Sequence, residues 1–348
     1  MKALQWHGPR RVTLAADLPT PRVESPRDAV VRVVRSAICG TDLHPYRGEI
    51  DGFPPGTVTG HEFTGVVEEV GPEVRGLTPG DRVVASDIIA CGHCGACARG
   101  WHYQCAHVGL FGYATVVGER AYAGGHAEYV RVPFADTVLF PIPDDVDDER
   151  ALFVGDVLAT GYACAVGAEV RPGDTVAVVG CGPVGLLAVE AAWALGAARV
   201  LAVDPLESRR KLAAERGAHP VPASPDVTAH IAELTEGRGA DAVLEAVGTD
   251  AALLSALHVV RPRGAVCAVG AHAADAMPMP TRLAFAKEIT LRFAVGDPIS
   301  DFEPLMNLVR GGRVDPTFLV SHRLPLSEAA EGFRLFDSGA ASKVVLIP

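Results

Sequence analysis

Residues 175–204 read TVAVVGCGPVGLLAVEAAWALGAARVLAVD. Thr175–Gly180 is a short β-branched apolar run, the pattern of a strand buried on both faces. Val184–Leu195 predicts a helix, and Arg199–Asp204 predicts a second strand. Between the first strand and the helix stands Gly180-Cys181-Gly182-Pro183-Val184-Gly185, a G-x-G-x-x-G. The first glycine permits a tight turn. The second lets the backbone approach a pyrophosphate, and the third allows helix and strand to pack closely. The start of the helix adds free N–H groups and the positive end of its dipole. Asp204 closes the next strand at roughly the 20-residue distance expected of an acid that binds ribose hydroxyls. A glycine-rich turn in some other α/β fold is the alternative, and the strand–loop–helix–strand–Asp context weighs against it. Asp204 favours NAD, because a carboxylate there repels the 2′-phosphate of NADP. Arg209 and Arg210 could hold that phosphate, but they lie on a predicted helix, where a solvated face is the ordinary explanation.

Moving outward, strand and helix patterns continue to alternate. Leu206–Arg216 and Asp226–Thr235 read as helices, Asp241–Val247 as a strand, Ala252–Val260 as a helix and Ala265–Val269 as a strand. This alternation predicts an α/β unit, a doubly wound parallel sheet of the Rossmann kind. The stretch before it differs. Ala29–Ser36, Phe63–Val70 and Asp81–Ser86 are short β-branched runs broken by Gly and Pro, as in a barrel-like β domain. After about Arg292 the texture changes again, with helices at Glu303–Arg310 and Ser327–Phe336 and a closing strand at Lys343–Ile347. Met277–Pro280 reads as a loop. A length of 348 residues suits two domains.

The formal net charge of -11, with no long basic run, speaks against nucleic acid or acidic membranes as partners. The N-terminus MKALQWHGPRRV has no secretory pattern. The most apolar stretch, Thr175–Val189, is too short and too interrupted by Gly and Pro to span a bilayer. A cytoplasmic protein is expected. Four of the eight cysteines crowd into Cys91–Cys105, which suits metal binding better than a disulfide scaffold.

That cluster, Cys91, Cys94, Cys97 and Cys105, has the spacing C-x2-C-x2-C-x7-C. Four thiolates satisfy a closed, tetrahedral structural zinc site. An iron–sulfur cluster or four ordinary thiols are the alternatives. His93 inside the cluster is expected to be a loop residue. Elsewhere, Cys39-Gly40-Thr41-Asp42-Leu43-His44 is placed in a loop after a strand, and Gly60-His61-Glu62-x-x-Gly65 opens another strand. Singly, Cys39 or His61 would be a packed core residue.

Together, CGTDLH, GHEFTGVVEEVGPEV, GDRV, the four-cysteine lobe, GCGPVG and Asp204 resemble the medium-chain zinc-dependent alcohol dehydrogenases, over essentially the whole chain and in the family's order. LFVGDVLATGYACAVGAEV and RVDPTFLVSH are similar to bacterial secondary-alcohol dehydrogenases. GGHAEYVRVPFAD and CGTDLHPYRG resemble the formaldehyde- and threonine-dehydrogenase-like branches. The resemblance implies a GroES-like β-barrel catalytic domain, residues 1–155 and 292–348, and a Rossmann NAD-binding domain, residues 156–291, with zinc and nicotinamide in the cleft between them. It implies that Cys39, His61 and Asp156 ligate a catalytic zinc, with Glu62 able to join or replace its water. For Asp156, which stands where many relatives have cysteine, a helix N-cap is the competing role.

By the same resemblance Thr41 takes the proton from the alcohol and His44 delivers it to solvent. Thr160 contacts the nicotinamide amide, Lys343 the pyrophosphate and Arg209 the adenosine ribose. The remaining histidines, His102 and His126 among them, are expected at the surface or in structural roles. The implied activity is reversible hydride transfer between a small primary or secondary alcohol and NAD, with two zinc ions per chain. A threonine- or polyol-type dehydrogenase with the same machinery is the nearest alternative, and a non-catalytic nucleotide-binding protein a more distant one. A homo-oligomer, taken as a tetramer, is expected.

Overall fold

The computed structural model describes residues 1–272 and 276–348. The chain divides into two compact units, Met1–Asp156 with Asp297–Pro348, and Val157–Gly296.

In the second unit six parallel strands lie in the order His219–Pro222, Arg199–Asp204, Thr175–Val179, Ala240–Glu245, Val260–Ala268, Thr290–Phe293. In chain order this is 3-2-1-4-5-6, the doubly wound arrangement, and the strand order reverses beside Thr175–Val179. Every residue of that strand is buried, as its unbroken apolar composition requires. Helix Pro183–Ala194 follows it, with Pro183 in the first turn, where a missing N–H costs nothing. Val179, Leu201, Val203, Val243, Leu253, Leu257 and Val266 share one core. The unit extends past the position where the change of texture suggested a boundary, because Thr290–Phe293 joins the sheet as its edge strand.

In the first unit one sheet runs Leu139–Pro141, Arg82–Ala85, Glu62–Val70, Ala29–Ile38, Val344–Ile347, His322–Pro325. Tyr129–Val132 also pairs with Ala29–Ile38. The C-terminal segment thus returns to complete a sheet begun by the first hundred residues. The predicted strands are present, each within a few residues of its expected bounds.

CGTDLH differs from its expectation. It begins a short helix, Gly40–Arg47, rather than an irregular loop. Cys39 is its N-cap, and the Asp42 carboxylate accepts the Cys39 backbone N–H at 2.9 Å. This reciprocal cap holds a helix too short, and too interrupted by Pro45, to show a helical period in sequence. Among the described residues no helix is long and apolar enough to cross a membrane.

Candidate active site and structural metal lobe

Sheet register builds the first cluster. Strand Glu62–Val70 pairs antiparallel with Ala29–Ile38, Glu62 opposite Ala37. Strand Val344–Ile347 pairs with the same strand on its other side, Val344 opposite Ile38. Cys39, His61, Glu62 and Lys343 therefore meet at one end of three adjacent strands. Asp156 reaches them from the turn after Phe153–Gly155. Cys39, His61, Glu62 and Asp156 are all buried, and each offers a ligand atom within 4.8 Å of the others. His61 Nε2 lies 3.3 Å from Asp156 Oδ2. Gly60 is required here: its φ is +100°, and a Cβ would stand 2.4 Å from His126 Nδ1.

Behind these residues lies a set of groups that the sequence motifs did not single out. Asp42 Oδ1 is 3.4 Å from His61 Nδ1, and Asp42 Oδ2 is 3.7 Å from His126 Nε2. Ser36 donates to the Glu62 carbonyl at 2.9 Å, and its hydroxyl lies 2.7 Å from His126 Nδ1. His61 thus turns Nε2 toward the cluster and Nδ1 toward a carboxylate, an arrangement that fixes ring orientation in metal-ligating histidines. Burial alone would raise the Asp42 pKa, but His61 and His126 overcome it and hold the carboxyl well below the usual range. The available signal for Asp42 was its place three residues after the N-cap Cys39.

Lys343, expected at a pyrophosphate, has a fully buried side chain whose Nζ donates to Glu62 Oε1 at 2.5 Å. The ammonium is committed to the metal-site carboxylate, because the register beside Ile38 turns it inward.

The donor set fits a divalent zinc ion. Burial, then Asp156 and Glu62, push the Cys39 thiol up to about 12. Burial pushes Glu62 up to about 7, against the pull of Lys343 and with the push of Asp156. Burial would raise Asp156 too, but its hydrogen bond to His61 prevails and lowers it. Glu62 Oε2 is shielded from solvent and has no hydrogen-bond partner. In the deprotonated form that metal ligation requires, Cys39, Glu62 and Asp156 against the Lys343 ammonium would carry two net negative charges, which a divalent cation would neutralise. Mixed N, S and O donors with an open position are the composition of catalytic zinc sites.

Thr41 and His44 lie one turn apart on helix Gly40–Arg47, both half-buried. His44 Nδ1 is 2.6 Å from Glu49 Oε2.

The four-cysteine lobe is local. The Sγ atoms of Cys94 and Cys97 are 3.5 Å apart, those of Cys94 and Cys105 3.9 Å, and those of Cys91 and Cys97 4.0 Å. Thiolates ~2.3 Å from a tetrahedral zinc are separated by roughly 3.8 Å, whereas a disulfide needs about 2.05 Å. Backbone N–H groups of Cys91 and His107 each point to Cys105 Sγ at 3.3 Å. The N–H groups of Cys97 and Ala106 pull the Cys94 thiol down to about 5, while burial pushes Cys97 up to about 12. Arg27 donates to the Cys91 carbonyl at 2.8 Å and to Asp136 at 2.7 Å. His102 lies 2.9 Å from both carboxylate oxygens of Asp297. His93 contacts the Cys91 carbonyl and Arg27.

In the second unit Gly180 has a φ of +91°, and a Cβ on Gly185 would stand 1.7 Å from the Gly180 carbonyl oxygen. Above Gly182 a Cβ would meet nothing within 4 Å, which leaves the backbone open to a ligand. Val184 is half-buried in the first turn of the helix. The buried Asp204 accepts the Cys181 N–H and the Leu206 N–H, each at 2.8 Å. Arg209 Nη1 stands 3.7 Å from Asp204 Oδ2. Arg210 donates to the Asp204 and Pro205 carbonyls. Thr160 lies on helix Val157–Gly167, packed against Gly296.

A doubly wound parallel sheet with a glycine-rich loop after its first strand, and a buried cluster of Cys, His and carboxylate donors, are the features of a metal-dependent, nucleotide-linked oxidoreductase. Residues 25–144 match the alcohol dehydrogenase GroES-like domain, and residues 183–311 match the zinc-binding dehydrogenase family. A probable zinc-binding alcohol dehydrogenase of Mycobacterium tuberculosis is 39% identical, over 90% of this chain and 80% of that protein. A zinc-type alcohol dehydrogenase-like protein of Bacillus subtilis, itself uncharacterised, is 37% identical over 100% of both chains. The solved alcohol dehydrogenase of Thermus sp. ATN1 superposes with a TM-score of 0.95 at 42% identity, covering 100% of this chain and 99% of that one. The chain belongs to the medium-chain zinc-dependent alcohol dehydrogenases. It is a zinc-dependent oxidoreductase of alcohols that uses a nicotinamide cofactor.

Proposed function

We propose that this enzyme interconverts small primary or secondary alcohols and their carbonyls with NAD, and that it holds two zinc ions per chain. The observation that carries this reading is the buried Cys39–His61–Glu62–Asp156 cluster with Asp42 behind His61 and Lys343 on Glu62. When bound there, zinc supplies the Lewis acidity that lowers the pKa of an alcohol hydroxyl, and nicotinamide accepts the hydride. Cys39, His61 and Asp156 hold the ion and leave a position for the substrate oxygen. Glu62, tethered by Lys343, is the reserve carboxylate. Thr41 accepts the hydroxyl proton, since a hydroxyl both donates and accepts. His44, half-exposed and hydrogen-bonded to Glu49, passes the proton to solvent. The second zinc sits among Cys91, Cys94, Cys97 and Cys105 and stabilises the lobe.

NAD over NADP is supported by the buried carboxylate of Asp204, whose negative charge opposes a 2′-phosphate, with Arg209 beside it at the adenosine ribose. Gly180, Gly182, Pro183, Val184 and Gly185 carry the pyrophosphate, and Thr160 contacts the nicotinamide amide. A cytoplasmic location is consistent with eight cysteines of which none is in a disulfide. A homo-oligomer, taken as a tetramer, is supported by the unpaired edge strand Thr290–Phe293, where Phe293 and nearby Phe285 and Val295 are exposed.

The test is hydride transfer followed by NADH absorbance, with NAD and NADP offered separately to a panel of alcohols and carbonyls. Turnover with NAD is expected. Asp204→Ser is expected to lower kcat/KM for NAD by about 10- to 100-fold, the worth of hydrogen bonds to a charged group, and to raise it for NADP. Turnover by the wild-type enzyme with NADP alone would overturn the cofactor assignment.

A further inference from the structure

Asp87 stands in an apolar run, Val83-Val84-Ala85-Ser86-Asp87-Ile88-Ile89-Ala90, between strand Arg82–Ala85 and the two-residue strand Ile88–Ile89. Its neighbours Ala85, Ile88, Ile89 and Ala90 are buried. Its own backbone is held on both sides: the N–H donates to the Gly155 carbonyl at 3.0 Å, and the carbonyl accepts the Phe111 N–H at 3.5 Å. The neighbouring turn is fixed too, because the Ile88 N–H donates to the Ser86 hydroxyl at 3.1 Å. The side chain is therefore placed by rigid elements. Yet Asp87 Oδ1 is shielded from solvent and has no hydrogen-bond partner.

Leaving a carboxyl oxygen unmet in such a setting is destabilising, and a bound ligand is one of the few things that can satisfy it. Asp87 lies within the field of the metal cluster. Burial, then the charge of Asp156, raise its pKa well above the usual carboxylate range, against the pull of His61. Tyr103 and Tyr113 share this neighbourhood. Burial and then Asp87 raise the Tyr103 phenol, and burial raises Tyr113, which also feels His61, Asp42 and Cys39. The Gly155 carbonyl that the Asp87 N–H meets belongs to the residue before Asp156, so Asp87 stands beside the metal-ligating cluster with a shielded, unmet carboxyl oxygen. The metal ligands leave Asp87 outside their set.

We propose that Asp87 selects the substrate, accepting a hydrogen bond from a second donor group on the carbon next to the reacting alcohol, so that 1,2-diols and their relatives are preferred over simple alcohols. This rests on the zinc-and-NAD reading above. It narrows the substrate class of that site to alcohols with a neighbouring hydroxyl or amino group. A site built around a substrate hydroxyl rejects the analogue without it, because its buried polar group is then left unpaired.

The experiment compares 1,2-propanediol, 1-amino-2-propanol and 2-propanol with zinc-loaded wild type, Asp87→Leu and Asp87→Asn. Two readouts are used: kcat/KM with NAD, and turnover-independent binding of each alcohol followed by ligand-observed NMR. Zinc content is measured for each variant. Asp87→Leu is expected to lower kcat/KM for the donor-bearing alcohols by about 30-fold or more, and to leave 2-propanol within about threefold. Asp87→Asn keeps an acceptor oxygen and preserves folding if the leucine variant misfolds. Retained preference for the diol in this variant identifies a hydroxyl as the donor recognised, and loss confined to the amino alcohol identifies an ammonium. Equal effects on all three alcohols, or wild-type binding that does not favour a donor-bearing alcohol, overturn the proposal. Absence of turnover on every alcohol, with binding selectivity intact and lost in Asp87→Leu, would sink the catalytic reading while leaving Asp87 as the selecting residue.

Discussion

The two clusters of metal-ligating side chains are built on opposite plans. Cys91, Cys94, Cys97 and Cys105 come from one short segment, are alike, and draw on backbone N–H groups of the same loop. Cys39, His61, Glu62 and Asp156 come from distant segments and offer three kinds of donor atom. They are backed by Asp42, Ser36, His126 and Lys343. A closed set of four thiolates leaves no coordination position and can only stabilise. A mixed set of donors, backed by buried polar groups, is the composition of sites that do chemistry. Loss of a ligand should therefore have different consequences in the two places.

The largest effect is expected from His61→Ala. Turnover should fall by at least about a thousandfold, the several kcal/mol of charge stabilisation that a Lewis acid supplies. NADH binding, followed by fluorescence, should persist because the glycine loop is untouched. Near-wild-type activity in this variant would mean that the cluster is not catalytic.

Cys94→Ser should act on stability first. Structural zinc contributes folding energy directly. At ~2–4 °C per kcal/mol for a protein of this size, a loss of a few kcal/mol should lower Tm by roughly 10 °C. Metal analysis should fall from two zinc ions to one. If stability is unchanged and activity is lost, the roles of the two clusters have been exchanged.

A smaller and more diagnostic effect is expected from Asp42→Asn. Replacing a partner behind a ligating histidine typically costs 10- to 100-fold in metal affinity or activity. Here it should weaken retention of one zinc against a chelator while the lobe keeps its own. Equal loss from both sites would show general unfolding rather than loosening of His61.

The same contrast explains what could be read along the chain. The lobe was legible as a spacing, because its ligands are neighbours and little besides their own loop places them. So was the parallel sheet, because buried strands must be apolar throughout, and Thr175–Val179 is buried at every residue. The short helix Gly40–Arg47 was not legible, since its cap consists of one cysteine and one aspartate, and Pro45 interrupts any period. Lys343 was placed at a pyrophosphate by resemblance alone, and nothing in the sequence around it indicated a partner. Its burial on Glu62 follows from pairing with a strand some three hundred residues away.

By itself, the sequence determined the class of fold, the glycine loop with its acid, and the residue types that can bind metal, because each is set by local composition and spacing. Only the tertiary structure decided which groups stand behind those ligands. Asp42 behind His61, Lys343 on Glu62 and the unmet oxygen of Asp87 depend on strand register and on burial. Those settle which charges face one another without water, and no spacing along the chain contains that information.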